Sequence, residues 1–439
     1  MAIYKWIILL IAALVVGWYA LTRDIRYSRE YMGDLRNRVV GSRIIKDGGS
    51  PYFYKYRPGD TLRYYDPQAF DIYFPSICTS TPFLHRLLDP VADLPFVTIM
   101  RVWVAVLWVL YLGMAAYAFS LARGPSARMA VVAAAVLFLL TNGWDLQVKY
   151  GQSYLVIAAL AMLVVALWRW PVLAGVAAAA LVMVRPNAII FFLPFLLARE
   201  VKWAFLLPGL LALGWVLLSP RERGLWGDYE RMLSAQVRIH QALDVPTRGV
   251  VTDPGYGQWE GINSDTVQAR IARDPVRIYS ENGNLFVLYE KVIGRRMPLW
   301  MLGAVGFLGV AGVAALFVWR RRAGMSGGFA KRGVGPPVQT AIVGFCLYMV
   351  SDLCSPVYRH QYYTVQWLMP LLLAASIFRG RLWGWYVGLL AALLLNILHV
   401  PGLRMSNTLG EYGFLVCLLA IALDPGAAKR RKVAPAGLP

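Results

Sequence analysis

Long apolar segments constrain this chain more than any other feature, because a helix needs about 20 apolar residues to cross the hydrocarbon core of a bilayer. The first, Ile3 to Leu21, is not followed by a small-residue cleavage signature and is predicted to be a retained helix. The pattern predicts an all-α polytopic membrane protein with about 12 transmembrane helices, the first segment being followed by others at about 95–120, 128–141, 153–169, 172–184, 187–198, 203–219, 298–319, 337–354, 361–378, 382–400 and 408–423.

The composition explains the strong positive charge. The net charge is +20, which in a soluble domain would suggest binding to nucleic acid. Hydrophobic residues, however, make up 58% of the chain and charged residues only 15%, against roughly 25% in soluble proteins. Basic loops facing anionic lipid explain such a charge in a membrane protein. We therefore expect membrane lipids, and no nucleic acid, among the partners.

The distribution of Lys and Arg predicts the orientation in the membrane. The short connections, the N-terminus and the C-terminal tail hold 17 basic residues against two acids, and such loops face the cytoplasm. With twelve crossings, both termini are cytoplasmic. The long connections 22–94 and 220–297 are then extracytoplasmic loops that carry short helices, and 424–439 is a basic cytoplasmic tail. The chain 1–439 is expected to form a single integral membrane domain.

That count depends on a break near Arg185-Pro186. One tilted helix over 172–197 would also fit the bilayer by length. It would, however, place the basic loops of the two halves on opposite sides. Pro186 supplies a physical cause for a break, since it removes a backbone donor and clashes with the preceding turn. Broken membrane helices line cavities, so we expect a cavity near Arg185.

Familiar soluble-enzyme motifs are missing from the sequence. There is no Walker A loop, no GxGxxG after a strand and no HExxH. The four cysteines are scattered without metal-ligand spacing, which indicates neither a zinc site nor a disulfide framework. An activated substrate is therefore expected to arrive from the membrane, without a nucleotide cofactor.

Polar residues interrupt several apolar helix ends on the side predicted to be outer. Ionisable residues placed there are functional candidates, although a single Arg or Lys at a helix end is more often one that reaches for the lipid headgroups. Polar residues that come from four segments and lie at the same face of the membrane indicate a functional site more strongly than any one of them alone. The residues are Asp34, Asp145, Lys149, Tyr150, Gln152, Arg185, Arg359 and His360.

Asp34 has two interpretations. It precedes an amphipathic helix that ends at Gly48-Gly49 and is expected to lie in the outer interface, so it is a candidate N-cap. A carboxylate at that position would also meet a hydroxylated acceptor at the headgroups and act as a general base. If Asp34 is not the base, the alternatives in the same loop are Asp24, Asp66 and Asp71.

The segment around His360 also has two interpretations. A lone His is more often a structural hydrogen-bonding residue, but Arg359 and His360, facing a cavity with Arg185, would make a phosphate-binding cluster. The aromatic residues of the same segment form either an interfacial belt or a surface that stacks on a sugar, and the sequence leaves both open. They are Tyr358, Tyr362, Tyr363 and Trp367.

The order of these features resembles glycosyltransferase family 87, part of the GT-C superfamily of membrane enzymes. The likeness runs from Asp34 to Pro370 and rests on the order and spacing of loose motifs. They are the Asp-Leu-Arg at 34–36 with "GGSPY", then "YGQSYLVIAAL", "AGVAAAALVMVRPN", "GNLFVLYEKVIG" and "SPVYRHQYYTVQWLMPLLL".

The resemblance implies a GT-C fold whose site lies at the outer face of a bacterial inner membrane. It implies a polyprenyl-phosphate sugar as donor, mannose or another hexose as the sugar, and a glycolipid or glycan as acceptor. Asp34 matches the family's catalytic base and His360 a donor-site residue. Arg185 stands where members often carry Lys before the Pro, which keeps the positive charge.

The expected reaction is a single displacement that inverts the anomeric centre. The donor phosphate would rest on Arg185 and Arg359, with Lys149 as a weaker candidate. Tyr150, Gln152 and His360 are also expected to bind the donor, through its phosphate or its sugar. Because fixed arginines can stabilise the departing phosphate, no metal is expected.

Two alternatives remain open at this level. One is a secondary transporter or flippase of an anionic or lipid-linked solute, which would use the broken helix and the buried Arg as a binding site. The large outer loops, about 73 and 78 residues, and the lack of obvious repeated halves favour an enzyme. The other is a glycan polymerase or ligase that uses a lipid diphosphate, which differs only in its donor.

Overall fold

The structure is a computed structural model that describes residues 2–67, 78–241, 243, 253–273, 283–322, 337–398 and 405–424. The predicted tail 424–439, apart from Asp424, and parts of both long loops lie outside these residues. The regular secondary structure of the described residues is helical apart from two short antiparallel strands, β1 (Gln258–Trp259) and β2 (Ile262–Asn263).

Eighteen α-helices are described. In chain order they are α1 (Ala2–Tyr27), α2 (Gly33–Lys46), α3 (Pro82–Leu88), α4 (Phe96–Leu121), α5 (Pro125–Phe138), α6 (Asn142–Lys149), α7 (Tyr154–Ala166), α8 (Pro171–Val184), α9 (Leu193–Leu197), α10 (Trp203–Leu218), α11 (Pro220–His240), α12 (Ser264–Arg273), α13 (Leu285–Ile293), α14 (Leu299–Arg322), α15 (Val338–Leu353), α16 (Leu368–Ser376), α17 (Trp383–Ile397) and α18 (Ser406–Ala422).

Several of these helices are long and apolar enough to cross a membrane. Four pass by length and composition within the described residues, namely α1, α4, α14 and α17 with the turn before it. Two bent pairs, α5 with α6 and α10 with α11, raise the number to six. The protein is therefore an all-α polytopic membrane protein. Each of the twelve predicted apolar segments contains helical structure, but several of these helices are short, and twelve crossings stay a prediction.

The predicted break at Arg185-Pro186 is confirmed. Helix α8 ends at Val184, Arg185 is extended, and a 3₁₀ helix runs from Pro186 to Phe192 before α9. A second break was not predicted. The segment expected as one helix over 361–378 begins with a 3₁₀ helix, Gln361–Trp367, and only then continues as α16.

The centre of the helical bundle is α15, nearly every residue of which is buried. Close approach of backbones places it there, since a Cβ at Gly344 would collide with the Phe191 carbonyl of the broken segment. Gly175 in α8 meets the Phe205 carbonyl of α10 in the same way. Small residues at such contacts are typical of membrane helices. By contrast α1 is peripheral, with Ile8, Leu14 and Trp18 exposed as expected of a lipid-facing surface.

Helix α2 differs from the interfacial helix expected from the sequence. Eleven of its 14 residues are buried, the arginines on its polar face included. The reason is that these arginines have protein partners. Arg43 pairs with Glu260 of the second long loop at 2.7 Å, and Arg36 lies 3.4 Å from the same carboxylate. Glu260 therefore joins the two long loops over the bundle.

Candidate active site

Asp34 is not a helix cap. The N-cap of α2 is Met32, and Asp34 is the second residue after it, in the first turn. Its carboxylate instead accepts a hydrogen bond from the side-chain amide of Gln152. The interpretation of Asp34 as an N-cap is therefore wrong.

The turn 150–152 places Gln152 beside Asp34. The Tyr150 carbonyl accepts a hydrogen bond of 3.2 Å from the Leu35 amide, which fastens the turn to the start of α2. Gly151 has φ +65°, and a Cβ there would collide with Leu35 and Met32. Only glycine allows both this backbone conformation and this close contact without strain.

Arg38, one helical turn after Asp34, binds the same turn. Its Nη1 donates to the Gly151 carbonyl at 3.2 Å and its Nη2 to Gln152 Oε1 at 2.6 Å. The amide group of Gln152 thus contacts a guanidinium at one end and a carboxylate at the other. Both polar atoms of the Gln152 side chain, which the sequence assigned to donor binding, are therefore already hydrogen-bonded within the protein.

Asp34 is half-buried as a residue, and burial raises the pKa of its carboxyl group to about 6. The positive charge of Arg38 acts in the opposite direction and the negative charge of Asp66 in the same direction. A carboxylate with a pKa of about 6 is ionised at neutral pH yet is more basic than an ordinary aspartate. That is the property that a general base requires.

The alternative bases are differently placed. Asp24 accepts hydrogen bonds from the indoles of Trp108 (3.1 Å) and Trp144 (3.0 Å) and is buried. Asp66 is buried and accepts a hydrogen bond from the Tyr31 hydroxyl. Asp71 lies outside the described residues. Asp145, one of the outer polar candidates, turns toward α1, where it pairs with Arg23 at 3.2 Å.

Arg185 lies at the break between α8 and the 3₁₀ helix, where its side chain remains 25% exposed. Its Nη2 donates to Asp352 of α15 at 2.6 Å. The guanidinium also lies 5.9 Å from the Tyr154 ring centroid and 5.7 Å from that of Tyr363. Arg185 is therefore anchored on one side and partly accessible.

Arg359 occupies a different environment. Its side chain is 1% exposed, its Nε donates to Asp352 at 2.7 Å, and its Nη1 contacts Glu411 of α18. Two carboxylates already balance this guanidinium, and protein encloses it. The expectation that Arg359 lies against the donor phosphate is therefore not supported, because such a contact would require displacing a buried acid.

Glu411 ties the same network to the second broken segment. It accepts a hydrogen bond from the Thr364 hydroxyl of the 3₁₀ helix. Gly283, in the predicted "GNLFVLYEKVIG" motif, packs so closely that a Cβ would meet the Glu411 carboxylate and the Arg359 guanidinium. The next residue, Asn284, accepts a hydrogen bond from the Arg359 amide. This motif therefore supports the arginine from outside the bundle.

His360 follows Arg359 and is half-buried, with its ring 5.1 Å from that of Tyr362. Burial lowers its pKa to about 4, so the imidazole is neutral at neutral pH. A neutral imidazole binds a ligand through its N–H or its lone pair and adds no positive charge to a phosphate site.

Tyrosines connect the two ends of this region. Tyr150 lies 6.2 Å from Tyr362, and Tyr154 lies 3.9 Å from Tyr363, measured between ring centroids. Tyr362 and Tyr363 stack on each other at 5.4 Å. Lys149, half-buried, has its Nζ 5.8 Å from the Tyr150 ring. Arg185 lies close to Tyr154 and Tyr363, and Asp34 interacts electrostatically with Tyr362. Both charged residues therefore adjoin one aromatic cluster, which comprises Tyr150, Tyr154, Tyr362 and Tyr363.

The other two aromatic residues of the 358–367 segment do not join this cluster. Tyr358 is buried against His240, at 4.5 Å between ring centroids, and Trp367 is buried against Phe414. Neither belongs to an interfacial belt.

The chain matches a known protein family. The model of glycosyltransferase family 87 matches residues 79–331, more than half of the chain. The chain belongs to glycosyltransferase family 87. No curated protein matches it.

The matched range of this family 87 glycosyltransferase includes the turn 150–152 and Arg185. Asp34, Arg359 and His360 lie outside it, so their assignment rests on the geometry described above and on the resemblance of the surrounding motifs. Family membership favours a transferase over the transporter or flippase alternative.

Three residues of this glycosyltransferase's site region were not predicted from the sequence, namely Asp352, Glu411 and Arg38. Asp352 and Glu411 bind the two arginines, and both are acids inside apolar segments, a signal that marks functional or structural pairs. Arg38 acts on Asp34 from within the first long loop, as does Asp66, which the sequence indicated only as an alternative base. The sequence signal for Arg38 was weaker, because charged residues are common in that loop.

Among the side chains that the structure describes, no three His, Cys, Asp or Glu residues come together as ligands for an ion. The sequence expectation of a reaction without an essential metal stays a prediction.

Proposed function

We propose that this glycosyltransferase moves a hexosyl group, such as mannosyl, from a polyprenyl-phosphate donor to a hydroxyl of an envelope glycolipid or glycan. The reaction takes place at the extracytoplasmic face of a bacterial inner membrane, within a GT-C fold. The observation that supports the proposal is that Asp34 and the partly exposed Arg185 adjoin the same tyrosine cluster.

In the proposed reaction, the acceptor hydroxyl oxygen attacks the anomeric carbon from the face opposite the phosphate. The bond between the anomeric carbon and the phosphate oxygen breaks, and its electron pair leaves with the polyprenyl phosphate. Asp34 accepts the hydroxyl proton through its carboxylate. A single displacement of this kind inverts the configuration of the anomeric carbon.

The cationic side of the site stabilises the leaving group. Arg185 contacts the departing phosphate, while Asp352 and the tyrosine rings hold the guanidinium in place. Such a preorganised charge favours the transition state, in which negative charge builds up on the phosphate. His360, neutral, contributes a hydrogen bond to the donor, and Tyr150 offers its ring to a sugar.

The direct test is transfer by purified protein in lipid nanodiscs without any ion gradient. Labelled hexose is offered on polyprenyl phosphate, on polyprenyl diphosphate and on a nucleotide, with envelope lipid extract as acceptor. We expect a labelled product from the polyprenyl phosphate, with inverted configuration by NMR. A product from the diphosphate alone would favour the polymerase or ligase alternative, and retained configuration would exclude the single displacement.

The side of the membrane is tested separately by cysteine labelling. A cysteine at Ser50 or Gly261 should react with an impermeant thiol reagent in intact spheroplasts, and a cysteine at Gly327 should not. The reverse pattern would place the site in the cytoplasm and would remove the proposed donor route from the outer leaflet.

A further inference from the structure

The Gln152 amide lies between an arginine and an acid that would otherwise be natural partners. Asp34 and Arg38 are four residues apart in α2, the spacing at which opposite charges on a helix meet. In the structure, Arg38 Nη2 donates to Gln152 Oε1 at 2.6 Å, and Gln152 Nε2 donates to Asp34 Oδ2. The side-chain amide of Gln152 therefore takes the place of a direct contact between Arg38 and Asp34.

The orientation of this amide follows from its partners. A guanidinium has only donors, and an ionised carboxylate has only acceptors. The amide oxygen must therefore face Arg38 and the amide nitrogen must face Asp34. Because Gln152 is 1% exposed, water has little access to compete for these positions.

The surrounding backbone holds Gln152 in place. The backbone N–H of Gln152 donates to the backbone carbonyl of Gln147 at 2.8 Å, and the backbone carbonyl of Gln152 accepts a hydrogen bond from the Gln147 side chain. Arg38 is held by two further contacts, to Ser80 Oγ at 3.1 Å and to the Gly151 carbonyl. Gln152 and Arg38, the two neighbours of Asp34, thus each have contacts that do not involve Asp34.

We propose that Gln152 is a positioning residue that separates the Arg38 guanidinium from the Asp34 carboxylate, and so keeps this carboxylate able to accept a proton. The inference rests on the proposed role of Asp34 as base. It changes the assignment of Gln152, which the sequence placed among the donor-binding residues.

The charges around Asp34 give this separation its effect. The titratable groups that act on Asp34 are Arg38 in its own helix, Asp66 in the first loop and Tyr362 in the 3₁₀ helix. Burial raises the Asp34 pKa to about 6 in spite of Arg38. A direct ion pair with an arginine typically lowers the pKa of an aspartate by about 1–3. Such a pair would make Asp34 a weaker base.

Two substitutions at Gln152 should act in opposite directions. Gln152→Ala removes the spacer and lets Arg38 turn toward Asp34. The resulting ion pair should lower the Asp34 pKa by more than loss of the Gln152 hydrogen bond raises it. Gln152→Glu gives Arg38 a carboxylate partner and places a second negative charge beside Asp34, which should raise the pKa for loss of the last proton from the pair. A residue with a merely structural role would not produce shifts of opposite sign.

The measurement is an infrared titration of the purified full-length protein, which requires no substrate. The protonated carboxyl band that disappears in Asp34→Asn is followed against pH. We expect its midpoint to fall by about one pH unit or more in Gln152→Ala and to rise by a similar amount in Gln152→Glu. In the double variant Gln152→Ala/Arg38→Met, the downward shift should disappear.

Gln268 provides a matched control, because its side-chain amide also donates to a carboxylate, Asp253, at 2.7 Å, away from Asp34. Gln268→Ala and Gln268→Glu should leave the Asp34 midpoint unchanged. An unchanged midpoint in both Gln152 variants, or a shift of the same sign in both, would overturn the proposal. If Gln152→Ala does not fold, Gln152→Ser creates the same opening with a polar side chain.

The rate of sugar transfer against pH gives an independent readout. The acidic limb should move with the infrared midpoint in each Gln152 variant. If the midpoints shift as expected but wild-type protein transfers no sugar, the proposed function fails while the positioning role of Gln152 stands. If transfer occurs but the midpoints do not move, the positioning role fails alone.

Discussion

The two charged regions of the site use arginine in opposite ways. Around Asp34, the Gln152 amide separates the acid from Arg38, and the carboxyl group of this half-buried residue keeps a raised pKa. In the bundle, Asp352 touches Arg185 and Arg359 directly, and Glu411 completes the balance of two acids and two arginines.

The difference shows how the protein separates reactivity from support. Direct pairing of two buried charges fixes the positions of their side chains, but a charge paired in this way is not available to bind a substrate or to accept a proton. A carboxylate that must accept a proton cannot be held in that way. Arg185 is intermediate, since one acid orients it while a quarter of its side chain remains accessible. The predictions below test each part of this contrast.

The largest effect is expected at Asp34. Asp34→Asn keeps the size of the side chain but removes the proton acceptor, so turnover should fall by about two to four powers of ten. Donor affinity should change little, because the base acts on the acceptor hydroxyl. Because burial raises the Asp34 pKa, the fold favours the neutral form that Asn imitates, and thermal stability at pH 7 should not decrease. Wild-type turnover in this variant would show that the acid region is structural.

The next effect is a loss of stability at Arg359. Arg359→Met leaves Asp352 and Glu411 buried without their shared cation, a change that typically costs about 3–5 kcal/mol. Thermal unfolding in detergent measures this. Arg359→Met/Glu411→Gln should recover part of the loss, since it removes the carboxylate that Arg359→Met leaves without a cation, whereas Asp352 keeps Arg185 as its partner. Normal stability of Arg359→Met would mean that the network does not support the fold.

A somewhat smaller effect, on binding, is expected at Arg185. Arg185→Met should weaken binding of a lipid-phosphate sugar by about 2–5 kcal/mol, and Arg185→Lys should retain part of the affinity. Stability should suffer less than in Arg359→Met, because Asp352 keeps Arg359 as its partner. Donor titration by fluorescence quenching compares the two. Equal donor binding by Arg185→Met and wild type would make Arg185 a structural residue like Arg359.

The smallest effect concerns pH. The base must be ionised to act, so kcat/KM should decline as the pH falls through about 6, by about tenfold per pH unit below it. The imidazole of His360, with its pKa lowered to about 4, should not contribute to this limb. The residual rate of Asp34→Asn should lack the limb. A limb that persists in that variant would belong to another group.

Much of the site could be predicted from the sequence because its candidates stood out against an apolar background. Asp34, Gln152 and Arg185 are polar residues next to membrane segments, and the structure brings Asp34 into contact with Gln152. Pro186 located the break in the helix for a local reason, the missing N–H and the steric clash. The 3₁₀ helix at 361–367 had no comparable local signal.

The pairing of charges could not be predicted in the same way. Arg359 and Arg185 look alike in the sequence, yet one is enclosed by two acids and the other is not. Glu411 lies 52 residues after Arg359 in the chain, and Asp352 lies 167 residues after Arg185. Nothing in local spacing specifies which acid meets which arginine.

The sequence by itself determined that this is an all-α membrane protein with a broken segment at Pro186 and a polar region at its helix ends, because these follow from apolar length and from local stereochemistry. Only the tertiary structure decided the partner of each charge. Contact between residues distant in the chain depends on how the helices pack, and that packing placed an amide beside Asp34 and carboxylates beside Arg359.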